Sequence, residues 1–245
     1  MSNAFLDAKP RRLARLAVVS VAAAVAIAIV VLVLVVVRGT GHTTAASTPV
    51  QSVTSPVSTS NATSSGPRLG PIDLVQGSSL LNGVYVGYPH TIVGAVSAAV
   101  EYETQIASTL DPDRAAAVAR VVADPSWTNV AAQAAQGAVN ARKAINLPTD
   151  GAVPPNTSVE LTVAQYQLRN VKANTITVLL LADYSQMLPS ADSKVSLGVF
   201  PMRMHWADGD WKVMPSTGDT DYSSLAVQPG SVEAESAGWQ NLLRS

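Results

Sequence analysis

Few side chains in this 245-residue chain are equipped for chemistry. It has three histidines and no cysteine, which excludes thiolate nucleophiles, disulfides and cysteine-held metals. His42 lies in a Ser/Thr/Pro-rich stretch, leaving His90 and His205. His90 follows Tyr88-Pro89 in a turn with no identifiable partner, so a surface or capping role is expected of it rather than general-base catalysis. His205 sits in FPMRMHWADGDWKVMP, between Phe200 and Pro215, beside two tryptophans and several charges. Asp183 next to Tyr184, with Tyr102 further back, is the remaining set that could supply an acid and a base. A P-loop, His-Glu-x-x-His, Gly-x-Ser-x-Gly and a dinucleotide glycine run are all absent. No catalytic residue, cofactor or metal set is therefore expected.

The elements that position these residues are legible from periodicity. Asp208-Gly209 is a two-residue type I′ hairpin signal that pairs Ala207 with Asp210 and Trp206 with Trp211. Both tryptophans then share a core face with Met204 and Val213, and Trp206 and Trp211 read as scaffold. Arg203, His205 and Lys212 take the other face, where the Lys212 cation opposite His205 discourages its protonation. Upstream, Val159, Leu161 and Val163 alternate before the phase slips to Tyr166 and Leu168, as a β-bulge requires. Ile176, Val178, Leu180, Ala182 and Tyr184 alternate as in a central strand. Tyr184 thus faces inward, and Asp183 points the opposite way with Leu179 and Leu181, so alternation separates the pair. Val195, Leu197 and Val199 open a third strand, with a second slip expected at Phe200 and Pro201 and, from the two slips, strong curvature.

Three helices precede the strands. Ile92 to Leu110 shows a 3.6-residue apolar period that leaves Glu101 and Glu103 most simply as solvated positions, with a pocket mouth as the alternative for one of them. Asp111 and Pro112 read as N-cap and first helical residue of a second helix that stops before Pro125. Ser126 reads as the N-cap of a third, with Val130, Ala131, Ala134, Ala138, Ala141 and Ile145 inward and Pro148 beyond its end. Helices followed by a curved antiparallel meander of about four strands make an α+β domain.

Charge is unevenly spread. From Leu69 onward ten Lys/Arg face sixteen Asp/Glu, which disfavours direct nucleic-acid binding. Ala17 to Val37 is 21 residues with Ser20 its only polar side chain, long enough to span a bilayer. Lys9, Arg11, Arg12 and Arg15 precede it and Arg38 follows, which places the N-terminus in the cytoplasm and the bulk outside. A cleaved signal peptide is the competing reading, disfavoured by the length of the apolar run. Ser20, Ala24 and Ala28 form a small-residue stripe that would let two such helices approach closely in a homo-oligomer, but in an Ala-rich segment that pattern arises easily by chance and the chance reading is favoured. The expected organisation is a basic cytoplasmic arm over 1–15, a transmembrane helix over 16–38 and a flexible Ser/Thr/Pro-rich linker over 39–70. An extracytoplasmic domain over 71–218 and a tail over 219–245 complete it. The tail's apolar end, Trp239, Leu242 and Leu243, is expected to dock on the domain, because a short isolated helix is marginal in water.

Helices packed on a curved sheet resemble the cystatin/nuclear-transport-factor-2-like cone. VYVGYPHTIVGAVSAAVEYETQI, the DPDRAAA helix, the Asp-Pro-Ser-Trp boundary and the HWADGDWKV hairpin resemble single-pass membrane proteins of actinobacterial conjugative elements. Those are similar in plan to bitopic inner-membrane subunits of type IV secretion systems. The resemblance implies a membrane-anchored assembly component that acts by protein-protein contacts with other subunits. The alternative is a ligand-binding or small-molecule enzyme domain using the cone's pocket, with Tyr102, Tyr184 and His90 as candidate pocket or interface residues.

Overall fold

The computed structural model describes residues 66–243 apart from 189, 191, 192 and 219. The expected arm, the span and the linker up to residue 65 lie outside the described residues. Among the described residues no helix is long and apolar enough to cross a membrane.

The chain enters through a short strand β1, Ile72–Asp73, and a hairpin of β2, Ser79–Leu81, and β3, Val84–Val86. Asn82 and Gly83 turn that hairpin with φ of 51° and 72°, the type I′ geometry that Asn-Gly favours. Helix α1, Ile92–Ala107, is capped by Thr91, whose Oγ1 accepts from Gly94 N at 3.0 Å. Helix α2, Pro112–Val122, begins where Asp111 Oδ1 accepts from Asp113 N at 2.9 Å, as Asp-Pro requires.

Helix α3, Val130–Ala144, starts later than its expected cap. Ser126 does not cap it: its Oγ and N both donate to Asp124 Oδ1, at 2.5 and 2.9 Å, in a tight turn. Asp124 competes for the serine, and the helix waits until Val130. Ala115 and Ala119 of α2 then pack on Val130, Ala134 and Ala138 of α3; short side chains let the axes approach closely.

Three long strands and a short one follow: β4, Ser158–Arg169, β5, Thr175–Met187, β6, Ser193–Ala207, and β7, Asp210–Val213. A turn of 3₁₀ helix at Ser223–Leu225, helix α4, Val232–Ala237, and strand β8, Gln240–Leu243, complete the described chain. The sheet runs β1-β8-β4-β5-β6-β7. It is antiparallel except for the β1-β8 pair, so the α+β class holds and the sheet has six strands rather than about four.

The register between β4 and β5 shifts between Val163 and Gln165, at the bulge read from the sequence. The second expected slip is absent: β6 pairs with β5 without interruption from Ser193 to His205. Leu197 and Val199 simply belong to the opposite face from Phe200, Met202 and Met204. That outer face is apolar because the tail covers it, with Leu179 and Leu181 buried against Ala234 and Trp239. On the inner face α1 lies along β4 to β7, around Tyr102, Tyr166, Leu168, Leu180 and Met204. Contacts with the domain reach upstream of the expected boundary at 71, since Gly66 N donates to Leu168 O at 2.9 Å and Tyr166 OH to Gly70 O at 2.8 Å.

Candidate functional site

The DG hairpin forms in the expected register, with Ala207 opposite Asp210 and Trp206 opposite Trp211. Its chemistry centres on Asp210, which the sequence did not single out. This buried carboxylate accepts from Tyr88 N (2.9 Å) and Trp211 N (2.9 Å) on Oδ1, and from Tyr102 OH (3.1 Å) and Lys212 Nζ (3.2 Å) on Oδ2. Trp211, 3% exposed, donates through Nε1 to Pro89 O at 2.9 Å. The Gly-Tyr-Pro turn and the Asp-Gly-Asp-Trp hairpin, more than a hundred residues apart in the chain, are thereby one unit.

Tyr102 is therefore a buried hydrogen-bond donor and no part of an open pocket. Burial raises its hydroxyl pKa far above the ordinary range, and the Asp210 carboxylate adds to that. It cannot serve as a base at any physiological pH. His90 is exposed and stacks on Trp206 with ring centroids 4.3 Å apart and planes at 11°. Its Nε2 donates to Ala173 O at 3.0 Å. The histidine thus roofs the tryptophan pair and ties the β4-β5 turn to the loop before α1.

Tyr184 lies away from this unit. It lines a shallow cleft with Glu103 and Ile106 of α1 and Ala134, Ala138 and Ala141 of α3. Burial pushes its hydroxyl up to about 12. Glu103 takes the alternative read for it, at a pocket mouth rather than in open solvent: it is partly buried in the same cleft with no other charged side chain lining it, and burial pushes its carboxyl up to about 7. Asp183 sits on the opposite face, as alternation dictates. The three candidates Tyr102, Tyr184 and His90 do not converge.

The remaining titratable contact is His205. The ion at its Nδ1 is the Asp124 carboxylate, 2.6 Å away; Lys212, the neighbour expected to influence it, turns instead to Asp210 and to Val121 O. Burial would raise Asp124, but hydrogen bonds from Ser126 and His205 outweigh it and hold the carboxyl below its usual range. Serine and histidine both bond to the aspartate, so this is not the serine-histidine-aspartate relay in which histidine holds the nucleophile. Its effect is to fasten the α2-α3 connection to β6, helped by Asp124 N donating to Val213 O at 2.8 Å. Among the described residues no three His, Asp or Glu side chains are grouped to hold a metal.

A sequence family described as a domain of unknown function, DUF8175, matches residues 38–236. The chain belongs to this family. The DUF8175 match takes in both halves of the Asp210 unit and continues past β7 into α4. It therefore includes most of the tail that covers the outer face. No curated protein and no solved structure matches the chain.

Proposed function

We propose that this DUF8175 protein is a membrane-tethered, non-enzymatic assembly subunit of a conjugation or type IV-like secretion apparatus, whose extracytoplasmic head engages other proteins of the complex. One observation carries the reading: apart from the small cleft at Tyr184, the space between sheet and helices is filled, while large apolar side chains are displayed outside. Tyr102, Tyr166, Leu180 and Met204 are all fully buried in that space. Leu80 and Leu81 of β2 are 60% and 51% exposed, on a hairpin whose turn is gripped by Arg114 through Asn82 O (2.5 Å) and Gly83 O (3.5 Å).

Residues 74–100, which include this hairpin, contain no Asp, Glu, Lys or Arg. A rigid, uncharged hairpin carrying adjacent leucines has the character of the apolar centre of a protein interface. The apolar run from Ala17 to Val37 supports the membrane tether, and the helix-over-sheet arrangement supports the nuclear-transport-factor-2-like form of the head. In this reading the positive arm before the run fixes the N-terminus in the cytoplasm.

Photo-crosslinking from position 81 of the full chain in native cells tests the proposal. Discrete adducts with membrane-complex proteins, identified by mass and lost on Leu80→Asp, are expected. Adducts with lipid only, or none from a folded and membrane-inserted protein, would overturn it.

A further inference from the structure

The outer face of the sheet carries one row, Arg169, Thr177 and Arg203, whose two cations have no counter-charge among the described residues; Arg203 NH1 donates only to a neutral acceptor, Pro215 O at 2.8 Å. Arg169 ends β4, stands opposite Thr177 on β5, and Thr177 stands opposite Arg203 on β6. Directly opposed residues place their Cβ atoms about 5 Å apart, so the two guanidinium groups flank one threonine at a spacing they can close. Arg169 is only 6% exposed, yet its Nε is buried with no hydrogen-bond partner. Its remaining contact is a long one, 3.4 Å from NH1 to the carbonyl of the preceding Leu168.

The same molecule shows what a satisfied buried guanidinium looks like. Arg142 is 2% exposed and donates to Leu110 O at 2.6 Å, Gly151 O at 2.9 Å and Pro148 O at 3.4 Å. Arg169 has no equivalent, and burial holds its pKa below the ordinary range with only the nearby Tyr222 opposing. The two ion pairs among the described residues, His205–Asp124 and Lys212–Asp210, include neither Arg169 nor Arg203. A buried cation left without a counter-charge is strongly unfavourable.

The residue two before Arg169 on the same face decides what the counter-charge is. Gln167 gives its amide N–H to Ala237 O, and its Oε1 is buried and unpartnered. Arg68 reaches the same place: a Cβ built on Gly238 would lie 2.9 Å from Gln167 Nε2 and 3.2 Å from Arg68 NH2. A simple carboxylate or sulfate would answer the arginines and repel the Gln167 oxygen. A hydrogen phosphate answers both, with oxygens for the guanidinium groups and a P–OH for Gln167.

We propose that Arg169, Arg203, Thr177, Gln167 and Arg68 form a binding site for inorganic hydrogen phosphate on the outer face of the sheet. Full-length protein in detergent, ¹⁵N-labelled at arginine and tryptophan, would be titrated with inorganic phosphate, glycerol 3-phosphate and sulfate at matched chloride ionic strength. Saturable movement of the Arg169 Nε–H resonance with phosphate is expected, with sulfate at least tenfold weaker. Glycerol 3-phosphate, whose dianion carries no P–OH, is expected to bind more weakly than inorganic phosphate, and tighter binding of the ester would overturn the proposal. Arg203→Gln and Thr177→Val should each weaken phosphate by about tenfold or more while the indole N–H of Trp211 and Trp239 stays in place as the control for folding. A phosphate response no greater than that of sulfate or chloride would overturn the proposal.

Discussion

Asp210 is the residue on which the late hairpin, the first helix and the loop before it all depend. Replacing it with alanine leaves the Tyr88 N–H and the Tyr102 hydroxyl buried without acceptors and frees Lys212 from its counter-charge. Orphaned buried donors cost about 1–3 kcal/mol each, so Asp210→Ala is expected to lose about 2–4 kcal/mol by denaturant unfolding. Trp211→Ala adds a cavity to the loss of its bond to Pro89 O and should cost about 3–5 kcal/mol. A change below about 1 kcal/mol in either would contradict the buried unit. Glu103 acts in the opposite sense, because its carboxyl is ordinary in the unfolded chain, at 4.5, and raised to about 7 in the folded one. Below pH 4.5 both states hold the proton and there is no penalty. As pH rises towards 7 the unfolded chain ionises first, so stability falls across that window and the penalty is complete above it. The residue is only half-buried, which limits the loss to about 1–3 kcal/mol. Glu103→Gln should therefore be more stable than the parent at pH 8 and lose that advantage by pH 4, which paired melts at the two values would show. Equal pH dependence in parent and variant would sink the assignment.

At the scale of elements, Gly94 shows how the α1 N-terminus is fitted to the hairpin. An alanine Cβ there would run into the Pro89 carbonyl oxygen. That carbonyl cannot retreat, because Trp211 Nε1 and Thr91 N both donate to it, at 2.9 and 2.7 Å. In an ordinary first turn Gly→Ala gains about 1 kcal/mol. Here it is expected to lose about 1–3 kcal/mol, and a stabilised Gly94→Ala protein in a thermal melt would disprove the close approach. The same elements show what the sequence could and could not express. Asp111-Pro112 and Asp208-Gly209 were legible because caps and two-residue turns are local, and the bulge after Val163 because it reverses a strict alternation. The break at Phe200 was misread because β6 buries apolar residues on both faces, so periodicity could not distinguish a slip from a second core. Ser126 was misread because a nearby aspartate outbids a helix for a serine. Asp210, Glu103 and Arg169 owe their significance to partners, or to missing ones, far away in the chain, and no local pattern marks them.

At the scale of the whole molecule, the sheet is a partition between two cores of different origin. The inner core is built by α1 with β4 to β7; the outer by the tail, where Trp239 is 4% exposed and gives its Nε1 to Leu225 O at 2.9 Å. Strand β8 then pairs with β4 and lets β1 join in parallel, so the chain's two described ends meet at one sheet edge. This arrangement predicts how damage on the two faces combines. Trp211→Phe and Trp239→Phe each remove an indole hydrogen bond and some volume, for an expected loss of about 1–2 kcal/mol apiece. The two tryptophans belong to separate clusters with no shared partner, and sites of that kind add to within about 0.5 kcal/mol. The double variant should therefore unfold with the sum of the two losses, in a single transition, because the strands between the layers are common to both. Two transitions by near-ultraviolet dichroism would mean that the tail is a separately melting cover. A coupling above about 1 kcal/mol would mean that the faces communicate through the sheet, and the separation of the cores would then be wrong.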